Sequence, residues 1–317
     1  MTVRRASILE MILWWLSITP FGLPLLPEEK ITVAKSSPKR SLPFVNRYNG
    51  AKRAFRYALS FAVQSIWAAI SSRKTKPSNV LEIDNLNVFY GQGHILHDIS
   101  LQIGSEEAVF ILGLNGMGKT TLLRAIMRIT PPRSDGSIRY SGLEGENKKS
   151  HELASMGLGY VPQGRLLFPS LSVEEHLRLF YRPPRKEGGF EWTTDAVYEL
   201  FPILKERRKI SGTLLSGGEQ QMLAIGRALV TNPILLIMDE PTEGLSPSVI
   251  HQIVETCRNL REIGVAMLLT EQNLEVATEL ADRTLILETG KFIHQARKTD
   301  FVDGQAFKDN LSEFLKI

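Results

Sequence analysis

Residues 108–121 read Ala-Val-Phe-Ile-Leu-Gly113-Leu114-Asn115-Gly116-Met117-Gly118-Lys119-Thr120-Thr121. The first five are apolar and β-prone, the next eight fit G-x-x-x-x-G-K-[ST], and a helical run starts at Lys119. A strand that feeds such a loop and then a helix aims consecutive backbone N–H groups and the positive end of the helix at one point. That is what a chain of phosphates requires. Glycines let the backbone approach phosphate oxygens that side chains would hold away. Lys119 is then expected to neutralise charge on the β- and γ-phosphates, the Thr120 hydroxyl to bind Mg²⁺, and Thr121 to follow in the same helical turn.

The sequence around this loop has the texture of an α/β protein. Residues 83–90 alternate like a strand, and later apolar strand candidates at 158–161, 234–238, 266–269 and 284–287 are separated by helical stretches. This is the pattern of a largely parallel sheet covered on both faces. Residues from about 165 to 215 read as an inserted helical subdomain, with a capping box at Ser172 and Glu175 and a loop marked by Pro183, Pro184, Gly188 and Gly189. No internal repeat is visible.

Two further stretches carry chemistry. Residues 234–240, Ile-Leu-Leu-Ile-Met-Asp239-Glu240, form a buried-type strand ending in two carboxylates. Carboxylates at a strand end can be ordinary solvated turn residues. With a phosphate loop on the same sheet they acquire tasks: Asp239 to hold Mg²⁺, Glu240 to orient and polarise the attacking water. Residues 215–221, Leu-Ser216-Gly217-Gly218-Glu219-Gln220-Gln221, precede a helix, and Ser216 with Glu219 makes a capping box. Two glycines at a helix start cost roughly 1 kcal/mol each relative to alanine, so something must require the bare backbone there. A second anion at this N-terminus is the natural candidate.

In this order and spacing, the phosphate loop, residues 215–221 and Asp239-Glu240 resemble the ATP-binding-cassette (ABC) ATPases over about residues 80–317. The resemblance implies a P-loop fold with a RecA-like core, an antiparallel β subdomain and the inserted helical subdomain. It implies ATP with Mg²⁺, and a head-to-tail dimer in which Ser216, Gly217 and Gly218 touch the γ-phosphate held by a second, similar subunit. Tyr90 matches the aromatic residue that stacks on adenine, although a strand-end tyrosine can also belong to the core. Gln163, after Gly-Tyr-Val-Pro, matches the glutamine that senses Mg²⁺ and water and contacts the membrane partner. Gln272 stands where most of the family has a histidine on the γ-phosphate. Its amide can donate that hydrogen bond but cannot carry a proton in the reaction. Ser246 stands where the inter-subunit loop often has Asp, and Ser246-Pro247 also reads as a helix N-cap followed by proline.

Thr270-Glu271-Gln272-Asn273, residues 159–165 and residues 243–247 look like the group that imports hydrophobic amino acids. The expected function is therefore ATP hydrolysis that drives uptake of branched-chain amino acids, with urea or another amide as the alternative solute. The chain would sit peripherally on the cytoplasmic face of the membrane, on two permease subunits served indirectly by a solute-binding protein. A soluble ABC ATPase of another class would be expected to bring two cassettes or a long coiled-coil insertion, and neither is present.

Composition supports a globular protein, with 43% hydrophobic residues, but charge is unevenly spread. Residues 1–79 carry 13 Lys/Arg against 3 Asp/Glu, and the remainder 25 against 31. The basic overall balance therefore gives no support to a nucleic-acid partner. The single Cys257 leaves no disulfide or cysteine-metal framework, and the six histidines show no metal-ligand spacing. Pro20 and Pro24 divide the first apolar run, and the second, at 58–70, is short for a membrane span. Two readings of this basic extension stand: translated sequence upstream of a start at Val80, or a basic anchor on anionic lipid.

Overall fold

The computed structural model describes residues 79–145, 147–184 and 190–315. The expectations placed on the stretch before Val80 lie outside these residues, of which Asn79 is the first. The described chain opens with two long antiparallel strands, β1 (Asn79–Tyr90) and β2 (Gly93–Gly104), followed by β3 (Ala108–Leu112) and the helix α1 (Lys119–Ile126). Next come β4 (Arg133–Tyr140), β5 (Leu143–Glu144), α2 (Ser150–Met156) and β6 (Leu158–Val161). Three short helices follow: α3 (Val173–Phe180), α4 (Thr194–Leu200) and α5 (Pro202–Glu206). The chain continues through α6 (Gly217–Leu229), β7 (Leu235–Asp239), α7 (Pro247–Glu262), β8 (Ala266–Glu271) and α8 (Leu274–Leu280). It ends with β9 (Arg283–Glu288), β10 (Lys291–Arg297) and α9 (Gly304–Leu315).

These strands form a six-stranded sheet in the order β10-β9-β3-β8-β7-β6 and a four-stranded sheet in the order β2-β1-β4-β5. The five strands from β9 to β6 pair in parallel, and β10 joins β9 antiparallel. The smaller sheet is antiparallel throughout. The apolar runs of β3, β7 and β8 are continuous because both faces are covered: every residue of these strands is buried. Successive side chains of β3 go to opposite sides. Ala108, Phe110 and Leu112 enter the core that includes residues of α6 and α7, whereas Val109 and Ile111 enter the core shared with α1, β1 and β2. Each fully buried side chain of this size contributes about 1.5–3 kcal/mol, so β3 is held from both faces and presents its following loop from a fixed point.

The antiparallel sheet is tied to the parallel one by a buried ion pair. Arg283, at the start of β9, donates to both carboxylate oxygens of Glu107 at 2.8 and 3.1 Å, and to the Gln102 carbonyl on β2. The Arg283 side chain is 7% exposed, so its partner is needed. On the helical side, the capping box at the start of α3 is formed: the Ser172 N–H donates to Glu175 at 2.8 Å, and the Glu175 N–H donates to the Ser172 hydroxyl at 3.3 Å. One turn later His176 is fully buried. Its Nε2 accepts from the Phe168 N–H at 2.9 Å, which leaves Nδ1 to donate to the Ser172 carbonyl at 2.8 Å.

Two outcomes follow from these contacts. Arg283→Met should leave Glu107 without its principal cation and lower stability by about 3 kcal/mol, read as a lower urea midpoint with an unchanged slope. Burial holds the His176 imidazole below its ordinary pKa, so the unfolded chain takes up a proton that the folded chain refuses. Its stabilising contribution is complete above the unfolded value near 6.5 and is lost as pH falls below it. Thermal unfolding from pH 7.5 to pH 5.5 should show a smaller drop in Tm for His176→Gln than for the parent chain.

Candidate phosphate-binding site

The site lies along the C-terminal edge of the parallel sheet, where four neighbouring strands end. The loop Gly113–Gly118 leaves β3, Gln272 follows β8, Asp239 closes β7 and Glu240 follows it, and Gln163 stands two residues beyond β6. A cavity of about 210 Å³ opens here, lined by Ile95, Asn115, Gly116, Gly118, Lys119, Thr120, Thr121, Gln163 and Glu240. Its walls are short of apolar surface and rich in donors, as suits a phosphate chain more than a whole ligand. Gly118 caps α1 with φ 106°, a left-handed conformation that favours glycine, and the α1 N-terminus opens towards the cavity.

Lys119 is buried, with three partners. Its Nζ donates to the carbonyls of Gly113 at 2.5 Å and Leu114 at 3.0 Å, and lies 2.9 Å from Glu240 Oε1. Met117 pins the loop from the other side, its carbonyl accepting from the Gly290 N–H at 3.2 Å in the β9–β10 turn. Glu240 is 7% exposed and has a left-handed backbone, φ 46°, stabilised by its N–H on the Thr270 carbonyl at 3.0 Å. Such backbone at a non-glycine residue costs about 1–2 kcal/mol, and it turns the carboxylate towards the cavity. The second oxygen, Oε2, accepts from Gln272 Nε2 at 3.1 Å and faces Gln163 Nε2 at 3.4 Å. Gln272 Nε2 also donates to Asn115 Oδ1 at 2.6 Å, and Gln163 Nε2 to Glu243 at 2.8 Å.

Asp239 is 1% exposed. Its Oδ1 accepts from the Thr270 hydroxyl at 2.7 Å, while Oδ2 has no hydrogen-bond partner. Burial pushes its pKa up, and the hydroxyls of Thr270 and Thr120 oppose that shift. An orphaned buried carboxylate oxygen is expensive. Beside the Thr120 hydroxyl it makes an all-oxygen donor set that suits a hard cation such as Mg²⁺. Glu271, also buried, accepts from the Thr242 N–H at 3.1 Å and its hydroxyl at 2.8 Å, fixing the turn that follows Glu240. Burial raises its pKa as well.

The remaining predicted residues stand outside the cavity lining. Tyr90 lies at the end of β1, 38% exposed. Leu114 is half exposed and contributes its carbonyl to Lys119. Ser216 caps α6, its N–H donating to Glu219 at 2.8 Å, with Gly217 exposed beside it. Gly218 has a reason inside the chain, since a Cβ there would lie 2.7 Å from Val249 of α7, whereas one on Gly217 would lie 3.5 Å from the Arg165 guanidinium, an ordinary contact. Ser246 takes the N-cap position of α7 with Pro247 next, but its hydroxyl meets that of Ser248 at 3.1 Å and makes no cap bond. Sequence reading gave no task to Thr270, Glu271, Glu243 or Ile95. The register that sets Asp239 opposite Thr270 becomes visible only when β7 and β8 are paired.

A glycine-rich cradle with a buried lysine and two strand-end carboxylates defines a P-loop nucleoside triphosphatase. Residues 96–243 match the family described as ABC transporter. The chain is 42% identical over 216 residues to the high-affinity branched-chain amino acid transport ATP-binding protein BraG of Pseudomonas aeruginosa, covering 68% of this chain and 91% of that one. It is 33% identical over 230 residues to the probable branched-chain amino acid transport ATP-binding protein LivF of Archaeoglobus fulgidus, covering 72% and 97%. Among solved structures, the ATP-binding subunit of an ABC transporter superposes with a TM-score of 0.60 at 27% identity, covering 75% of this chain and 100% of that one. A nucleotide-free ATP-binding cassette from an ABC transporter superposes with a TM-score of 0.62 at 24% identity, covering 75% and 99%, which speaks for the fold. The chain belongs to the ABC transporter family, as one of its ATPase subunits.

Because Glu240 pairs with Lys119, substitutions at the two positions should move ATP affinity in opposite directions. Lys119→Ala should weaken ATP binding by about 100-fold, whereas Glu240→Gln, which frees the lysine, should tighten it several-fold. Fluorescent-nucleotide titration of the full chain measures both.

Proposed function

We propose that the chain hydrolyses ATP, with Mg²⁺, to drive an importer of branched-chain amino acids, seated peripherally on the cytoplasmic face of the membrane against two permease subunits. The observation that carries the catalytic part is Glu240: a buried carboxylate on strained backbone, reached at once by Lys119, Gln272 and Gln163. Phosphate entering the cavity would take Lys119 from it and leave Glu240 free to orient and polarise water. Thr120 and Asp239 would hold Mg²⁺, with Gln163 close by. The ion would supply charge neutralisation between the β- and γ-phosphates. Gln272 would donate to the γ-phosphate, and the backbone of Gly113–Gly118 would cradle the chain of phosphates. Tyr90 would stack on adenine.

The open form of the cavity supports a site completed by a second subunit. Ser216, Gly217 and Gly218 lie outside it, exposed or half-buried at the start of α6, in position to be offered to a partner's nucleotide. Among the described residues no helix is long and apolar enough to cross a membrane, in keeping with separate permeases. Exposed Leu166, Phe168, Leu179 and Tyr181 give the helical region and the Gln163 loop an apolar surface for them. The solute assignment rests on the names of the relatives in Pseudomonas and Archaeoglobus, with urea or another amide as the alternative.

Glu240→Gln should bind ATP, lose turnover by at least about 100-fold and accumulate as a dimer by light scattering. Wild-type turnover in that variant would remove Glu240 from the proposed role. Gln272→Ala should lower kcat by about tenfold with KM nearly unchanged. For the solute, vesicles containing the assembled transporter should take up labelled leucine in an ATP-dependent manner; uptake of urea and not leucine would overturn the assignment.

A further inference from the structure

The loop that carries Gln163 meets α6 at both ends, hydrogen-bonded near the C-terminal end and lying alongside the N-terminal end. Near the C-terminal end, Arg227 is 8% exposed and makes no salt bridge among the described residues. Its Nη1 donates to the Leu166 carbonyl at 2.8 Å and its Nη2 to the Arg165 carbonyl at 2.9 Å, with the rings of Phe168 and Phe180 at 5.9 and 5.4 Å. At the N-terminal end, the Arg165 guanidinium lies across Gly217: a Cβ there would meet Nη2, Nη1 and Cζ at 3.5, 3.6 and 3.7 Å. Residues 164–166 all have left-handed backbone, with φ of 76°, 66° and 44°. Arginine and leucine do not keep that conformation unaided, and here two of its carbonyls are gripped by one planar fork. A buried cation with no carboxylate partner is a costly way to fill a core, so the fork has a task that an apolar residue could not perform.

The geometry points to Arg227 as a positioning residue for hydrolysis: it makes residues 163–166 ride on α6, so that the approach of Gln163 to Glu240 follows the helix that carries Ser216. The helix is a rod about 20 Å long, and a displacement at its first turn reaches Arg227 without bending it. The Arg165 guanidinium lies beside that first turn, so the loop and the start of α6 are neighbours there as well. Docking of a second subunit on Ser216 would thereby be reported to Gln163 of the same chain, and a push on the Gln163 loop would be reported to Ser216. This inference rests on the catalytic reading of Gln163 and Glu240 given above.

The test is a double-mutant cycle on the full chain. Arg227→Met keeps the apolar stem between the two phenylalanines and leaves no unpaired cation. It should lower kcat by about tenfold with KM for ATP within about twofold, and Arg227→Lys, which lacks the fork, should not restore it. In a Gln163→Ala background, Arg227→Met should have no further effect on kcat. Additive losses, or full rescue by lysine, would overturn the proposal. Should Arg227→Met fail to fold, Arg165→Met carries the same cycle from a side chain on the surface, with a loss of about threefold expected in place of tenfold. If Gln163→Ala alone leaves kcat unchanged, the role given to Gln163 fails, and hydrogen exchange decides the link by itself. In Glu240→Gln chains, ATP should slow exchange at residues 216–220 whether or not Arg227 is present, and at residues 164–168 only when it is. Equal slowing at 164–168 in Arg227→Met would sink the link.

Discussion

The buried contact between Lys119 and Glu240 joins the phosphate loop to the carboxylate that follows β7, and the geometry of the site depends on it. At 2.9 Å and an effective dielectric near 20 the attraction is about 6 kcal/mol, while removing two such ions from water costs several kcal/mol each. The pair by itself is near break-even. What tips it are the added hydrogen bonds: two loop carbonyls on the lysine and the Gln272 amide on the carboxylate. A contact so balanced is one that a polyanion can displace. Phosphate brings more negative charge to Lys119 than Glu240 does, and the carboxylate it expels is already aimed into the cavity.

That contact depends in turn on strand order. Because β3, β8, β7 and β6 are adjacent and parallel, their C-terminal ends bring the loop at Gly113–Gly118, Gln272, Glu240 and Gln163 along one line, although they are far apart in sequence. Thr270 is the joint between the middle two strands. Its hydroxyl donates to the Asp239 carboxylate and lies 3.2 Å from the Glu240 N–H, so one side chain on β8 holds both the carboxylate that closes β7 and the backbone of the residue after it. A change at Thr270 that preserved its volume would still disturb the site, since nothing else in the strand pair supplies that hydroxyl.

The sequence made the parallel core legible because its strands are buried on both faces and so read as unbroken apolar runs; β3 and β6 fall where the runs at 108–112 and 158–161 lie. The antiparallel sheet was known only through family resemblance. β4, Arg133–Tyr140, has polar residues on both faces and a glycine at its centre, and β2 shows alternation only at Ile99, Leu101 and Ile103. Site residues carried by a fixed spacing, such as Lys119 and Thr120, could be read directly. Those whose task comes from a neighbouring strand, such as Thr270 and Glu271, could not.

Gly217 and Gly218 stand at the start of α6 under different constraints. Two glycines at a helix start do imply that bare backbone is required, and a second anion was the reason offered. The chain itself brings a neighbour to each: Val249 lies too close to Gly218 for a Cβ, at 2.7 Å, and Arg165 lies beside Gly217 at 3.5 Å, a distance a Cβ would tolerate. These are not rivals of the anion. The same absence of side chains that would let a partner's phosphate approach α6 also lets α7 pack against its first turn, beside which the Gln163 loop lies, so the helix start is a junction of three elements. A glycine pair at such a junction makes the position of α6 depend on its neighbours. That is the property a subunit needs if an event at a dimer interface is to be felt at Glu240, the carboxylate proposed as catalytic.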